Sequence, residues 1–158
     1  SLRSEKYSYK LNWLSCLERY LRSAEARDEP LCVMGDFNIG PEARDLHDPD
    51  RLTGGIMASE AEREALHQVR GSTLGDAFRL FGAGRGHWSW WDYRSGAWNR
   101  DSGWRIDHIY LSRDLQELAR SCSIDKQERG REQPSDHAPV MVDLAWDLEE
   151  DEEAEESC

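Results

Sequence analysis

Residues 5–22, EKYSYKLNWLSCLERYLR, set Tyr7, Leu11, Leu14, Leu17 and Leu21 at helical spacing, and an apolar stripe of that length has to be laid against something. The next segment predicts a sheet beneath it. PLCVMGDFN, residues 30–38, is a short apolar run rich in strand formers that stops at Gly35, the pattern of a buried strand delivering its C-terminal end to a loop. SEAEREALHQV, residues 59–69, reads as a second helix, opened by Ser59 with Glu62 three positions on, a capping box. TLGDAFRLF reads as a short third helix, HWSWWDY, WRIDHIYL and APVMVDLAW as strands, and CSIDKQ as a weaker strand signal. Helices and strands are interspersed with no internal repeat, so the class is α/β or α+β.

A chain of 158 residues suffices for one domain with its own core, and no stretch approaches the apolar length of a membrane span. A net charge of −12 would argue against a nucleic-acid partner if it were spread evenly. It is not. The last twelve residues, DLEEDEEAEESC, hold eight acids and no base, which leaves the body with 24 acids against 20 bases. The organisation expected is therefore a domain over residues 1–146 and a disordered, solvated acidic tail over 147–158. Cys16, Cys32, Cys122 and Cys158 lack the paired short spacing of a zinc site, and two of them lie in apolar runs that suit buried, reduced thiols. A cytoplasmic setting is the expectation. Ser1 stands where a start methionine would, and no charged-then-apolar leader follows it, so the chain is expected to begin inside a longer gene product.

Three polar clusters sit where the predicted strands end or turn. In GDFN, Asp36 and Asn38 are two apart, so in extended chain both oxygens project the same way, and a carboxylate with an amide oxygen suits a hard cation such as Mg²⁺. Taken alone, the pair reads first as an Asx turn ending a strand. In GWRIDHIYL, Asp107 falls between Ile106 and Ile109, where a carboxylate is costly to bury without a partner; Arg105 or a backbone amide would serve. His108 and His87 read as surface or satisfied interior imidazoles. In REQPSDHAPVMVDL, Asp136 and His137 are adjacent at the entry to a strand, where neighbours point to opposite faces. Either Ser135 or Asp136 caps a turn beside an incidental His137, or the entry is irregular and both face one site.

Taken together, MGDFNIGP, HWSWWDYRSGAWNRDSGWRIDHIYLS and QPSDHAPV closely resemble, in order, the motifs of the exonuclease III type of apurinic/apyrimidinic endonuclease, within the endonuclease/exonuclease/phosphatase superfamily. The resemblance runs from about residue 4 to residue 145. It implies a four-layered α/β sandwich, two mixed sheets face to face with helices outside, whose strand ends form one metal-dependent phosphodiesterase site. It makes Asp136 a metal-site carboxylate and His137 a phosphate-facing imidazole, at the edge of the metal site, hydrogen-bonded to Asp107. Asp36 and Asn38 would bind metal or orient the attacking water, as general base or through a second ion. The implied cofactor is Mg²⁺ or Mn²⁺. The positions of Trp90, Trp104 and Ile106 would line a pocket for a flipped-out abasic sugar, with Arg94 reaching toward the duplex, although crowded tryptophans in a small domain are by default core.

The family's N-terminal portion supplies the first strands, an amide and a glutamate for the metal, and a tyrosine near the phosphate. None of these is seen in the present sequence, so an uncovered apolar inner sheet face is expected. The implied activity is hydrolysis of the phosphodiester 5′ of an abasic site in double-stranded DNA, with 3′-to-5′ removal of nucleotides from duplex ends, by an enzyme expected to be monomeric at full length and to need no membrane. Two other readings stand beside it: a catalytically incomplete fragment or binding module, and a phosphatase of the same superfamily. The pairing of SWWDYR with GWRID speaks against the last.

Overall fold

The computed structural model describes residues 1–25, 29–82 and 84–145. The acidic tail and the last residue of the segment APVMVDLAW lie outside the described residues. Helix α1 spans Glu5–Glu25 and α3 Glu60–Arg70, with the short helix α2, Pro49–Leu52, between them. Strand β1, Cys32–Asp36, pairs antiparallel with β3, Asp107–Leu111, which pairs on its other edge with the two-residue β2, Gly75–Asp76. Helix α4, Ala77–Phe81, follows β2 directly. Helix α5, Arg113–Leu118, leads into β4, Ala119–Ile124, and after the short α6, Lys126–Arg129, strand β5, Val140–Leu144, closes a second antiparallel sheet with β4.

Strand alternation builds the layers. One face of β3 carries Tyr110, which packs with Phe37, Ile39, Leu66, Val69 and the α1 leucines Leu14 and Leu21. The predicted stripe of α1 does lie on a sheet, and α3 shares that layer. The other face carries Ile109 and Leu111, which join Ala77, Leu115, Ala119 and, from the second sheet, Cys122, Val140, Val142 and Leu144. Among the described residues this gives helices, a three-stranded sheet and a two-stranded sheet, with all strand pairs antiparallel.

The two-stranded sheet does not reach β1. Met34 is 63% exposed, Cys32 is exposed, and Met34 lines a cavity of about 610 Å³ between β1, β3 and the segment 128–140. This is the uncovered apolar face expected from the sequence. It also corrects one expectation, because Cys32 sits in the apolar run but is exposed, on a side that no described residue covers. Cys122 is only half-buried, in surroundings that push its thiol up to about 11.

The capping box of α3 forms as read, with Ser59 Oγ accepting the Glu62 amide and Glu62 Oε2 accepting the Ser59 amide. CSIDKQ does enter a strand, but that strand starts three residues earlier at Ala119. HWSWWDY is not a strand. Trp88, Ser89 and Trp91 are buried, but the stretch joins no ladder, and Trp90 makes only isolated bridges to Trp104 and His137. The tryptophans divide between two cores instead: Trp88 and Trp91 pack with Ala97 and Ala138, and Trp90 packs on the cluster of Leu46, Ala58, Trp104 and Ile106.

The amides of Ser89 and Trp90 both donate to the Trp104 carbonyl, and the strand entry at Arg105 is itself fixed by a buried ionic group. Arg105, 1% exposed, donates from Nε to Asp45 Oδ1 at 2.7 Å and from Nη1 and Nη2 to the two oxygens of Asp76 at 3.1 and 2.7 Å. Arg79 adds a second guanidinium on Asp45. The Arg105 amide also donates to the Asp45 carbonyl. Burial by itself would raise the Asp76 carboxyl, but the Arg105 charge and its hydrogen bonds outweigh it and hold Asp76 below its ordinary 3.8. The native carboxylate is favoured, so this stabilisation is complete above about pH 3.8 and is lost as pH falls through the lower native value. Removing Arg105 leaves two buried carboxylates short of a partner. Arg105→Met is expected to cost about 3 to 5 kcal/mol in urea unfolding at pH 7, and Asp76→Asn should flatten the loss of stability on the acid side. A midpoint unchanged by Arg105→Met would show that the ionic group is dispensable.

Candidate active site

Register brings the first two polar clusters together. Asp36 ends β1 and Asp107 begins β3, and the two are directly opposite across the antiparallel pair. Like charges so placed repel, and the cost is accepted only where a cation answers them. His137 is the basic group that meets them. Its Nδ1 lies 3.1 and 2.9 Å from the two oxygens of Asp107, and its Nε2 lies 3.9 Å from Asp36 Oδ2. Ligand-capable atoms of Asp36, Asp107 and His137 fall within 4.8 Å of one another.

Asp107 is held from behind by Ser89, whose hydroxyl donates to Oδ2 at 2.6 Å while accepting the amides of Ile106 and Asp107, each at 3.0 Å. Its partners are therefore Ser89 and His137; Arg105 is committed elsewhere. Ser89 had no signal in the sequence beyond lying among tryptophans. The irregular strand entry imagined for Asp136 and His137 is present: the Ser135 hydroxyl accepts the His137 amide, a turn at 135–137, and the next amide, Ala138, donates to the Ser89 carbonyl. Both the turn and the site occur at the same residues.

The same duality holds at GDFN. Asp36 Oδ1 accepts the Asn38 amide at 2.8 Å, an Asx turn, and Oδ2 accepts Asn38 Nδ2 at 2.6 Å, with Asn38 at φ 52°. Asp136 behaves differently. Its Oδ2 accepts Trp90 Nε1 at 2.9 Å and its carbonyl accepts the Trp91 amide, so its carboxylate faces the aromatic wall and lies outside the trio.

Burial, and then the facing charge of Asp107, raises the Asp36 carboxyl above its ordinary value, against the opposing hydrogen bond from the Asn38 amide. Hydrogen bonding to Asp107 raises His137 above 6.5, despite partial burial. Two facing carboxylates with an amide side chain beside them are oxygen donors of the type a hard divalent cation takes. The residues fit such an ion. His108 is a separate case: fully buried, with its charge disfavoured first by burial and then by Arg105, it is held near 4 and is neutral at pH 7, and it contacts the Ile39 carbonyl through Nε2 at 2.9 Å.

Beyond Asp136 a cavity of about 390 Å³ is lined by Trp90, Trp104 and Arg94 together with His47, Arg51, Met57 and Arg100. Three of the four residues expected at a pocket meet there. Ile106 does not; it is fully buried in the cluster beneath Trp104 and supports the wall without forming it. Arg51 and Arg100 were not legible in advance, since they come from α2 and a turn whose approach to the tryptophans is set only by folding.

In comparison with known proteins, the model of the family described as "Endonuclease/Exonuclease/phosphatase family" matches residues 1–137. An exodeoxyribonuclease of Bacillus subtilis (strain 168) is 33% identical over 139 residues, covering 87% of this chain and 53% of the relative. Among solved structures, a 3′ phosphatase from Neisseria bound to a product DNA hairpin superposes with a TM-score of 0.88 at 34% identity, over 92% of this chain and 56% of that one. An AP endonuclease from Archaeoglobus fulgidus gives 0.84 at 34% identity, over 89% and 55%. The fold is thus that of these α/β nucleases, and the chain spans about half the length of the relatives it matches.

The dyad yields a direct measurement. With metal removed by EDTA, the His137 imidazole is expected to titrate above 6.5 by NMR, and Asp107→Asn should lower its midpoint, because the hydrogen bond is the largest cause of the shift. An unchanged midpoint in Asp107→Asn would show that the charge on His137 is set elsewhere.

Proposed function

This chain belongs to the endonuclease/exonuclease/phosphatase family, and on that premise we propose that it carries the phosphodiesterase site of a DNA-repair nuclease acting on duplex DNA at abasic sites and at 3′ ends. The observation that carries the reading is the Asp36–Asp107 pair facing His137, next to a cavity walled by Trp90 and Trp104 and rimmed by Arg51, Arg94 and Arg100. His137, kept cationic by Asp107, presents Nε2 to a phosphate oxygen and donates to it as charge builds in the transition state. Asp36 and Asn38 hold the attacking water, and the raised Asp36 is the better proton acceptor for it. Asp36 and Asn38 would hold Mg²⁺ or Mn²⁺, which would supply Lewis-acid polarisation of the phosphate, while the cationic His137, with no lone pair free for an ion, stays on the phosphate. Asp136 would have to leave Trp90 to join Asp36 and Asn38. The three arginines meet phosphates of the backbone, and a cavity of this size admits a sugar without its base, so recognition needs no base-edge contact.

The resemblance to a 3′ phosphatase favours a second activity of the same site, removal of a phosphate from a 3′ DNA end. The chemistry is alike: water attacks phosphorus and the 3′-oxygen leaves in each case, and only the group that stays on the phosphate differs.

The test is cleavage of a 5′-labelled abasic duplex, with a 3′-phosphate duplex and an undamaged end as parallel substrates, in a protein containing the whole fold. Mg²⁺-dependent cleavage abolished by EDTA and by Asp36→Ala is expected. This chain alone should be nearly inactive, because a misplacement of about 1 Å in a poorly ordered site costs on the order of a hundredfold. Asp107→Ala and His137→Ala should each cost about a hundredfold, and their losses should not multiply, since each disables the other. Simple multiplication would dissolve the dyad.

Trp104→Ala would open a cavity in a packed cluster, so the surface arginine is the cleaner probe of DNA contact. The Arg94 side chain is 88% exposed and, among the described residues, pairs only with Asp92, at 3.1 Å. Arg94→Ala is expected to weaken duplex binding and to lower the slope of log affinity against log salt by about 1, with folding unchanged. An unaltered salt slope would place Arg94 away from the phosphates.

A further inference from the structure

The loop that follows β1 is held by three side chains from three different elements. The carbonyls of Asn38, Ile39 and Gly40 meet, in turn, Lys10 Nζ from α1 at 2.7 Å, His108 Nε2 from β3 at 2.9 Å and Arg63 Nε from α3 at 3.0 Å. The loop amides are tied as well, Phe37 to the Ile106 carbonyl and Gly40 to the Met57 carbonyl. Among the described residues this is where Asn38 takes its left-handed backbone, a conformation an L-residue adopts at a cost unless its surroundings enforce it.

Of the three donors, Lys10 acts on Asn38 itself, and it is in turn fixed by a fully buried carboxylate. Glu62 is 0% exposed, and its Oε1 accepts Lys10 Nζ at 2.7 Å. Its Oε2 accepts the Ser59 hydroxyl at 2.6 Å and the Ser59 amide, and the Tyr7 hydroxyl lies 2.8 Å from Ser59 Oγ. The capping box of α3 therefore has a second role. A capping glutamate needs only its reach back to the N-cap, and here the remaining oxygen is spent on a lysine from another helix, at the expense of burying a charge pair. An isolated buried carboxylate would be neutral or destabilising, and the ammonium that answers it is thereby confined to one place.

We propose that Lys10 is a positioning residue for the Asp36–Asn38 turn: anchored by Glu62, it clamps the Asn38 carbonyl and so sets the left-handed backbone that brings the Asn38 amide and side chain onto Asp36. The inference rests on the reading of Asp36 and Asn38 as site residues for its functional consequence, but its structural part does not. Without the clamp the β1–β3 ladder survives, and the turn beyond it loses its single conformation. The water- and metal-holding atoms then spread over a range of positions while the DNA-contacting arginines, on other segments, are unaffected. The consequence is a fall in kcat with KM for the duplex preserved.

The measurement is amide hydrogen exchange on this chain, with the backbone amides of Phe37, Asn38 and Gly40 as reporters and the β1–β3 ladder amides as the control. Two variants are used, Lys10→Met and the paired Lys10→Met/Glu62→Gln, the second of which avoids stranding a buried charge and guards against simple misfolding. At least tenfold faster exchange at the three loop amides with the ladder amides unchanged is expected in the paired variant, and Lys10→Arg should restore protection. In a protein containing the whole fold the same paired variant should lose about tenfold in kcat on an abasic duplex with KM unchanged. Exchange at the loop amides equal to wild type, or a loss shared equally by loop and ladder, would overturn the proposal. If no variant, wild type included, cleaves DNA, the functional reading fails, and the loop exchange still decides the role of Lys10.

Discussion

The structure depends on Arg105. One guanidinium, almost wholly removed from water, joins Asp45 from the loop after β1, Asp76 from β2 and its own strand at the entry to β3. These three segments are distant in sequence, and no hydrophobic cluster alone fixes their relative height. Because the fork geometry of the guanidinium satisfies both oxygens of Asp76 while Nε takes Asp45, the backbone at 105 has little freedom. Trp104 and Ile106, on either side of it, are thereby turned into the cluster with Leu46 and Ala58, and Asp107 emerges at the edge of the sheet opposite Asp36. The ionic core and the polar site are thus two ends of one three-residue stretch, Arg105 to Asp107.

That edge is also where the fold is open. The second sheet covers Ile109 and Leu111 but leaves Cys32 exposed and Met34 in a broad cavity that runs up to Asp107 and His137. A carboxylate pair is tolerable there because the dielectric is higher than in the core and because His137 answers it. The same openness leaves oxygen ligands accessible to an ion and to a phosphate. Burial would have made the pair prohibitive; full exposure would have left it unordered.

Much of this was legible in advance, for identifiable reasons. The stripe of α1 and the capping box at Ser59 are local patterns whose physical meaning does not depend on the rest of the chain, and both formed as read; the strand before the GDFN loop formed too, but it is largely exposed and not buried, because its face at Cys32 and Met34 is open. The strand assigned to HWSWWDY did not form, because β-propensity in an aromatic run is a statement about packing partners, and here those partners lie in two separate clusters. Asp36, Asp107 and His137 were recognised as candidates, but Ser89, Arg51 and Arg100 were not, since a serine between tryptophans or an arginine in a turn acquires meaning only from what folding sets beside it. Ile106 was expected in the pocket wall and is instead its support.

By itself, then, the sequence determined the class of fold, the helix that covers the sheet, the end of the strand that carries Asp36 and the residue types able to do phosphate chemistry. These follow from periodicity and from the cost of placing a carboxylate in an apolar run, both of which act over a few residues. Only the tertiary structure decided that Asp36 faces Asp107, that Asp136 turns to Trp90, that Arg105 serves Asp45 and Asp76 in place of its neighbour Asp107, and that Lys10 reaches Asn38 across twenty-eight positions. Register and long-range ion pairing depend on which segments meet. A charged side chain commits to the partner that folding brings within about 3 Å with its hydrogen bonds aligned, and no local pattern records that choice.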